Sequence, residues 1–68
     1  MNKLFKVTVT DDKQEMYIDY ISLEDLEIEE IDWFFLSIED RENALLRKMW
    51  ELHDFNEYND ISYQEVYK

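Results

Sequence analysis

Apolar and polar positions alternate in two stretches near the start of the chain, LFKVTVT at 4–10 and EMYIDYI at 15–21. Alternation with a period of two is typical of a half-buried β-strand, which β-branched and aromatic residues favour. The segment between them, DDKQ at 11–14, is polar and lacks the Asn-Gly pair of a two-residue hairpin turn. We therefore predict an antiparallel hairpin with a longer loop.

The next segment, 22–36, is compatible with two structures. As a helix it would begin at the capping-box pair Ser22 and Asp25. Helical spacing would then group four apolar positions, Ile31, Phe34, Phe35 and Ile38. As a strand it would need one extra residue at 29–30, a bulge, to keep its apolar residues on one face. That face would hold Leu26, Ile28, Ile31, Trp33 and Phe35. We favour the strand, and the helix stays open.

A clear helix signal follows at 38–54. Ser37 is placed to cap it, and acids in its first turns suit the helix dipole. The apolar stripe consists of Ile38, Leu45, Leu46, Met49 and Leu52. The tail, 55–68, is open between a strand, from the alternation of Ile61, Tyr63 and Glu65, and a short turn capped by Ser62. The predicted fold is α+β, with the hairpin and a third strand in one small antiparallel sheet packed with one main helix.

Length and cysteine content limit what can stabilise this fold. The chain has 68 residues and no cysteine, so we expect one domain, 1–68, without disulfides or thiolate metal sites. A chain of this size buries only about 60% of the surface that its unfolded form exposes. Its 46% hydrophobic content still argues against disorder. Association of two copies would add buried surface, and we expect a homodimer.

The net charge of -11 narrows the classes of partner. Nucleic acids and anionic membrane surfaces attract cations, so neither is an expected partner. A basic protein is favoured, because complementary charge speeds encounter and selects partners, although acidity can also serve solubility alone. No apolar run approaches the roughly 18 residues of a membrane span, and the first residues do not read as a signal peptide, so we expect a cytoplasmic protein.

Catalytic chemistry finds little support in the sequence. The one histidine, His53, lies near a predicted helix end, where it more commonly serves the helix dipole than catalysis. Ser22, Ser37 and Ser62 fit capping positions. Glycine is absent, which excludes a Gly-rich phosphate loop and the usual calcium loop. We expect no enzyme activity, no cofactor, and no catalytic or metal-ligating residues.

The acids and aromatic residues are distributed unevenly. Thirteen acids stand between Asp11 and Glu42, against only Lys13 and Arg41 as cations. Such a surface can imitate a phosphate backbone, although a merely solvated face is the plainer interpretation. Three aromatic residues at 33–35 are consecutive, so one element cannot bury them all on one face. At least one must face an edge, a dimer mate or a partner, and aromatics rimmed by polar groups are typical of binding hot spots.

Several short motifs occur in the order found in one known family. They are KVT at 6–8, DDKQ at 11–14, YIDY at 17–20, SLEDLEI at 22–28, and SIEDRENALLRKM at 37–49, which follows an aromatic segment. In this order, and in length and charge, the chain resembles the very small uracil-DNA glycosylase inhibitors of protein-primed Bacillus podophages. The resemblance covers residues 6–54, and 55–68 extend beyond it. It implies a homodimer with a three-stranded antiparallel sheet and one helix.

The resemblance also implies a mechanism and a set of partner-binding residues. Members of that family act as DNA mimics, with acids on the enzyme's DNA-binding face and an apolar pocket around its protruding apolar side chain. Asp19 would be the acid of the second strand. Where the family has an aromatic-glutamate pair this chain reads Leu26-Glu27, so the aromatic is replaced. Under a shifted register Glu30 would be the acid, and Trp33 or Phe34 the second aromatic.

We accordingly predict a phage-type inhibitor that blocks uracil-DNA glycosylase in the host cytoplasm. Its partner-binding residues would be Asp19, Glu27 and Glu30 as phosphate mimics, and Leu26, Ile28, Trp33 and Phe34 at the pocket or the dimer seam. The alternative is an acidic binding module with another DNA- or RNA-binding target, such as an anti-CRISPR protein, an antitoxin or a nucleoid-protein antagonist. A third possibility is a homo-oligomer with no inhibitory role, which would bind no specific basic partner.

Overall fold

A computed structural model describes residues 3–66, which form a three-stranded antiparallel sheet with helices packed on one face. The elements, in chain order, are β1 (Leu4–Asp11), β2 (Met16–Ser22), α1 (Leu23–Leu26), α2 (Glu30–Phe35), α3 (Ile38–Leu52) and β3 (Tyr58–Val66). β1 is the central strand, because the order across the sheet is β2-β1-β3. The α+β class and the three-stranded antiparallel sheet of the sequence prediction are confirmed.

The predicted hairpin is present, and one carboxylate organises its loop. The side chain of Asp11, which is buried, accepts hydrogen bonds from the backbone N–H groups of Lys13 at 2.9 Å and Glu15 at 2.8 Å. The hydroxyl of Tyr17 donates to its second oxygen at 3.3 Å. Gln14 adopts φ 65, the left-handed conformation that glycine usually supplies in a turn. Because this turn has no glycine, a residue with a side chain takes that conformation. The Asp11 carboxylate thus accepts hydrogen bonds from the backbone N–H groups of this loop, which folds without glycine.

The strand predicted within 22–36 is wrong, because this segment forms α1 and α2. Ser22 and Asp25 make the full capping box: the Asp25 N–H donates to the Ser22 Oγ at 3.1 Å and the Ser22 N–H to the Asp25 carboxylate at 3.0 Å. Glu27 then ends α1 with φ 58, in the left-handed conformation. These local hydrogen bonds favour a helical turn where apolar alternation alone suggested a strand.

The third strand comes instead from the tail. β3 pairs with β1 along its length, with Tyr63 opposite Val7 and Ile61 opposite Val9, so the alternation in the tail is real and the capped turn at Ser62 is not formed. This pairing joins residues 47 to 62 positions apart, and local periodicity carries no information about it. The tail therefore supplies the third strand that had been expected within 22–36, and it lies at the edge of the sheet next to β1.

α3 was predicted correctly and supplies the helical side of the core. It begins after Ser37, whose Oγ accepts the Asp40 N–H at 3.1 Å, and it ends at Leu52, two residues before the predicted end. Three residues of its predicted stripe are buried against the sheet, Leu45, Leu46 and Met49. The outer two, Ile38 and Leu52, are exposed, because they lie at the ends of the helix.

The core joins one face of the sheet to the helices. Its buried apolar residues are Phe5, Val7, Val9, Ile21, Leu23, Trp33, Leu45, Leu46, Met49 and Phe55. The other face of the sheet has no helix packed on it among the described residues, and β2 exposes its apolar side chains there. Within 3–66, none of the helices has the length and apolar character needed to cross a membrane.

Candidate functional site

The orientation of α2 separates the three consecutive aromatic residues. Trp33 points into the core and is 5% exposed, with its ring centroid 4.9 Å from that of Phe5 and 6.4 Å from that of Tyr63. Phe34 and Phe35 point outward and are 73% and 77% exposed. A single helical turn cannot bury three successive side chains, and here the largest ring is the one inside.

Arg41 holds the end of α2 in place. Its Nε donates to the Trp33 carbonyl oxygen at 3.1 Å, and its guanidinium Nη2 donates to the Phe34 carbonyl oxygen at 3.0 Å. The guanidinium carbon also lies 5.5 Å from the centroid of the Trp33 ring, within the range of a cation–π contact. α3 thus uses one side chain to satisfy two carbonyl groups at the C-terminus of α2 and to cover its buried ring.

Outward-facing apolar residues of α2 and the start of α3 form an exposed ridge, which we call the apolar ridge. It consists of Ile31, Phe34, Phe35 and Ile38. The rings of Phe34 and Phe35 meet edge to face, with centroids 5.7 Å apart. The helical interpretation of the sequence grouped these four residues by their spacing, without saying which way they face. The structure turns that face to solvent, because Trp33 fills the core instead.

The apolar ridge lies in a stretch of chain that carries acids and no cation. No lysine or arginine occurs between Lys13 and Arg41. The acids of α1, α2 and the first turn of α3 are exposed, namely Glu24, Asp25, Glu27, Glu29, Glu30, Asp32, Glu39 and Asp40. Large apolar side chains at solvent, in a stretch of chain whose charged residues are all acidic, are typical of a protein-binding surface and unusual for a solvated face.

A cleft of about 370 Å³, here called the aromatic cleft, adjoins the ridge. Aromatic rings line it, those of Phe5, Trp33, Phe34 and Tyr63. Its charged groups belong to Lys3, Glu30, Arg41 and Glu65, with Gln64 beside them. The Lys3 ammonium lies 3.1 Å from the Glu65 carboxylate and 4.0 Å from that of Glu30. This cleft therefore brings together three of the predicted site residues, Glu30, Trp33 and Phe34.

A second cleft, of about 390 Å³, lies between α1 and α3 and brings together three other predicted residues, Leu26, Glu27 and Ile28. Its remaining walls come from Asp25, Ala44, Arg47, Lys48 and Glu51. The hydrogen bond from the Ser22 N–H holds the pKa of Asp25 below its usual value of 3.8. Lys48 and Glu51 form an ion pair at 3.3 Å in its wall, and none of the described residues that line this cleft is aromatic, in contrast to the first.

Asp19 lies in neither cleft. It stands on β2 with one carboxylate oxygen 3.3 Å from Nε2 of His53, and the other accepts the Tyr20 N–H at 2.8 Å. The His53 ring packs against Tyr17 with centroids 5.3 Å apart. Burial raises the pKa of Tyr17 above its usual value of 10.0, and its hydrogen bond to Glu15 adds to the shift. The predicted site residues thus occupy three places on the molecule.

Sequence reasoning missed part of the exposed surface. It named Phe34, but not Ile31, Phe35 or Ile38, as residues facing a partner. The available signal was the run of apolar residues at helical spacing beside a tryptophan, since only one side of so short a helix can be covered. Among residues 3–66, no group of three or more histidine, cysteine, aspartate or glutamate side chains is placed to hold a metal ion.

Comparison with other proteins adds no family assignment. No protein-family model matches the chain, and no curated protein or solved structure shows significant similarity to it. The resemblance to small uracil-DNA glycosylase inhibitors therefore rests on the quoted motifs, and the function is argued from the surface.

Proposed function

We propose that this protein is a phage-type inhibitor that binds and blocks host uracil-DNA glycosylase by DNA mimicry, acting as a homodimer in the host cytoplasm. It is a binding protein in this proposal, with no catalytic role. The observation that carries the proposal is the apolar ridge with its adjoining aromatic cleft. The ridge lies in a stretch, between Lys13 and Arg41, that has many acids and no lysine or arginine, while Lys3 and Arg41 line the cleft itself.

The chemistry of base-flipping enzymes explains why both features would be needed. Such an enzyme tracks the phosphates with a basic groove, and minor-groove binders that distort DNA push an apolar side chain into the base stack. A decoy must offer carboxylates to the groove and an apolar receptacle to that side chain. Charge alone would bind many basic proteins, whereas the receptacle selects an enzyme with a wedge.

Three features of the molecule support this proposal. The aromatic cleft, lined by the buried Trp33 and the exposed Phe34, has a volume within the roughly 300–1,000 Å³ of ligand-binding pockets. Glu30 stands at the same cleft, and it would meet basic side chains beside the wedge. Glu27 lies at the second cleft, with Leu26 and Ile28, and Asp19 lies on β2. These three acids are the proposed phosphate mimics.

Another basic DNA- or RNA-binding target would also be attracted to the acids of 24–40. An anti-CRISPR protein, an antitoxin or a nucleoid-protein antagonist would use the same charge, but would have no need of an apolar receptacle. The contribution of the ridge and cleft to binding therefore separates this alternative from the proposed inhibitor.

The proposal is tested by titrating purified bacterial uracil-DNA glycosylase with the protein and with charge variants. We expect wild type to bind and to compete with duplex DNA. Glu30→Gln should weaken binding, because it removes a carboxylate at the cleft, whereas Glu57→Gln, an exposed acid in the loop before β3, should not. Equal effects of the two changes would show that only net charge matters. Absence of binding by folded wild type would contradict the proposed target.

A further inference from the structure

β2 is an edge strand whose outward backbone groups can be assigned. Two hydrogen bonds frame the β1–β2 pair: Leu23 N–H donates to Lys3 C=O at 3.1 Å, and Asp11 N–H donates to Glu15 C=O at 3.0 Å. Antiparallel pairs alternate between hydrogen-bonded and non-hydrogen-bonded positions, so the odd-numbered residues of β2 bond to β1. The backbone N–H and C=O groups that point away from the sheet are those of Met16, Ile18 and Tyr20.

The same three residues carry exposed apolar side chains on the sheet face opposite α3. Met16 is 62% exposed, Ile18 48% and Tyr20 55%. The only charged side chain of β2 is that of Asp19, which points to the helical face, opposite the buried Val7. The edge of β2 thus combines an uncharged apolar row with outward backbone groups, of which the Tyr20 N–H donates to the Asp19 carboxylate at 2.8 Å.

The two edges of the sheet differ in how they are protected. β3 carries the charged side chains of Asp60 and Glu65, and its pairing with β1 shifts register between Thr10 and Asp11. β2 pairs with β1 in an unbroken register and contains no lysine, no proline and no bulge. Charges, prolines and bulges are the usual devices that keep edge strands from pairing. Apart from Asp19, β2 has none of these devices, so its edge has little protection against pairing with another strand.

We propose that two copies of the chain pair through β2, antiparallel, with the two-fold axis at Ile18, so that the two sheets join into one of six strands. In this register Ile18 lies opposite the partner's Ile18, and Met16 lies opposite the partner's Tyr20. The outward backbone groups of all three residues are hydrogen-bonded across the seam. Tyr20 N–H would exchange its bond to the Asp19 carboxylate for the partner's Met16 carbonyl.

The residues of β2 select this register over its neighbours. An axis at Asp19 would set two carboxylates directly opposite each other, which is unfavourable. An axis at Tyr20 would require the N–H of Ser22, which already donates to the Asp25 carboxylate at 3.0 Å. With the axis at Ile18, Asp19 faces the partner's Tyr17, and no like charges lie directly opposite each other.

The occupant of this edge is a second copy because the seam suits two acidic chains. Each chain has a net charge of -11, so two copies repel wherever carboxylates meet. The apolar row of β2 is uncharged, and the pairing at Ile18 is self-complementary, as a two-fold interface requires. This inference rests on the homodimer of the proposed function and gives it a seam. Its test contains no enzyme, so its failure and that of the proposed inhibition are distinguishable.

Sedimentation of the full chain, with a charge placed at each edge, tests the seam. We expect wild type to be a dimer at micromolar concentration and Ile18→Lys to be a monomer, because two lysines would meet at the axis. Ser62→Lys is the matched control: Ser62 and Ile18 both pair with Thr8, on opposite edges. It should remain a dimer. A monomeric wild type, or a dimer lost in Ser62→Lys and kept in Ile18→Lys, would overturn the proposal.

Cross-linking tests the register even if Ile18→Lys fails to fold. The chain has no cysteine, so a single introduced thiol can pair only with its copy. Ile18→Cys should form a disulfide-linked dimer under mild oxidation, since paired Cα atoms are about 5.5 Å apart in such a seam. Met16→Cys and Tyr20→Cys should link to each other when mixed, and Ser62→Cys should not link. Linking of Ser62→Cys at the rate of Ile18→Cys would reject the seam.

Discussion

Arg41 lies over the indole ring of Trp33, and its Nε donates to the carbonyl oxygen of the same residue at 3.1 Å. This relationship fixes α2 against the sheet with Trp33 inside. Because Phe34 and Phe35 follow on the same short helix, these contacts of Arg41 with Trp33 also leave the rings of Phe34 and Phe35 facing solvent. Stability and the presentation of the apolar ridge are therefore coupled through one side chain.

Replacing Arg41 with alanine should reduce stability and weaken the positioning of α2, which carries most of the apolar ridge. The change removes two charge-assisted hydrogen bonds that are partly exposed, so we expect a loss of about 1–2 kcal/mol in the free energy of unfolding. Arg47→Ala, an exposed arginine of the same helix, should change it by less than about 0.5 kcal/mol. Urea denaturation measures both. Equal losses in the free energy of unfolding for the two variants would mean that the contacts of Arg41 do not hold α2.

Truncation of Trp33 and truncation of Phe34 should have different effects, although the two residues are neighbours. The first should lower stability, and the second should weaken binding. Trp33→Ala empties a core position and should lower the free energy of unfolding by about 3–5 kcal/mol. Phe34→Ala changes an exposed ring, so stability should move by less than about 0.5 kcal/mol. If the ridge is a hot spot, Phe34→Ala should instead weaken enzyme binding by more than about 1 kcal/mol.

The matched control for Phe34 is Leu52→Ala, another exposed apolar residue, at the far end of α3. It should leave inhibition unchanged in a titration with the enzyme. If Leu52→Ala weakened binding as much as Phe34→Ala, the ridge would have no special role. If neither variant had an effect, the apolar part of the proposed interface would be wrong.

Acid should reveal the capping box of α1. The hydrogen bond from the Ser22 N–H keeps the pKa of Asp25 below 3.8 in the folded state, so the unfolded chain binds the proton more readily. The contribution of Asp25 is therefore fully present above pH 3.8 and is lost as pH falls through the lower, folded value. The stability difference between wild type and Asp25→Asn should shrink over that range. A difference that stays constant on acidification would contradict the assignment.

Local signals in the sequence predicted the elements whose causes are local. The hairpin and α3 follow from alternation, capping and an apolar stripe, and both are present. The third strand was misplaced because its pairing is non-local: Ile61 and Tyr63 meet β1 from the far end of the chain. Nothing within 22–36 reveals that the tail, and not this segment, supplies the third strand.

The candidate surface was predicted in composition but not in geometry. Acids beside surplus aromatics indicated a surface where both would be exposed, and the structure has one. Which ring would be buried was not predictable, because the choice depends on Phe5 and Tyr63 packing against Trp33. The scatter of Asp19, Glu27 and Glu30 over three places likewise follows from tertiary packing.

Salt should weaken binding to the enzyme without abolishing it. Exposed charges are screened within about 10 Å at 0.1 M salt, whereas apolar contacts of the ridge and cleft remain. Calorimetric titration at increasing salt should show affinity falling towards a plateau. Glu30→Gln should flatten that dependence, and Phe34→Ala should lower affinity at every salt concentration. Complete loss at moderate salt would indicate a purely electrostatic complex and would contradict the receptacle.

Uracil excision is the decisive assay for the proposed inhibition. Purified bacterial uracil-DNA glycosylase acts on a uracil-containing oligonucleotide while the protein is added up to stoichiometric amounts. We expect complete inhibition at one dimer per enzyme, with a sharp end point. Unchanged excision in the presence of excess folded, dimeric protein would contradict the proposed inhibition.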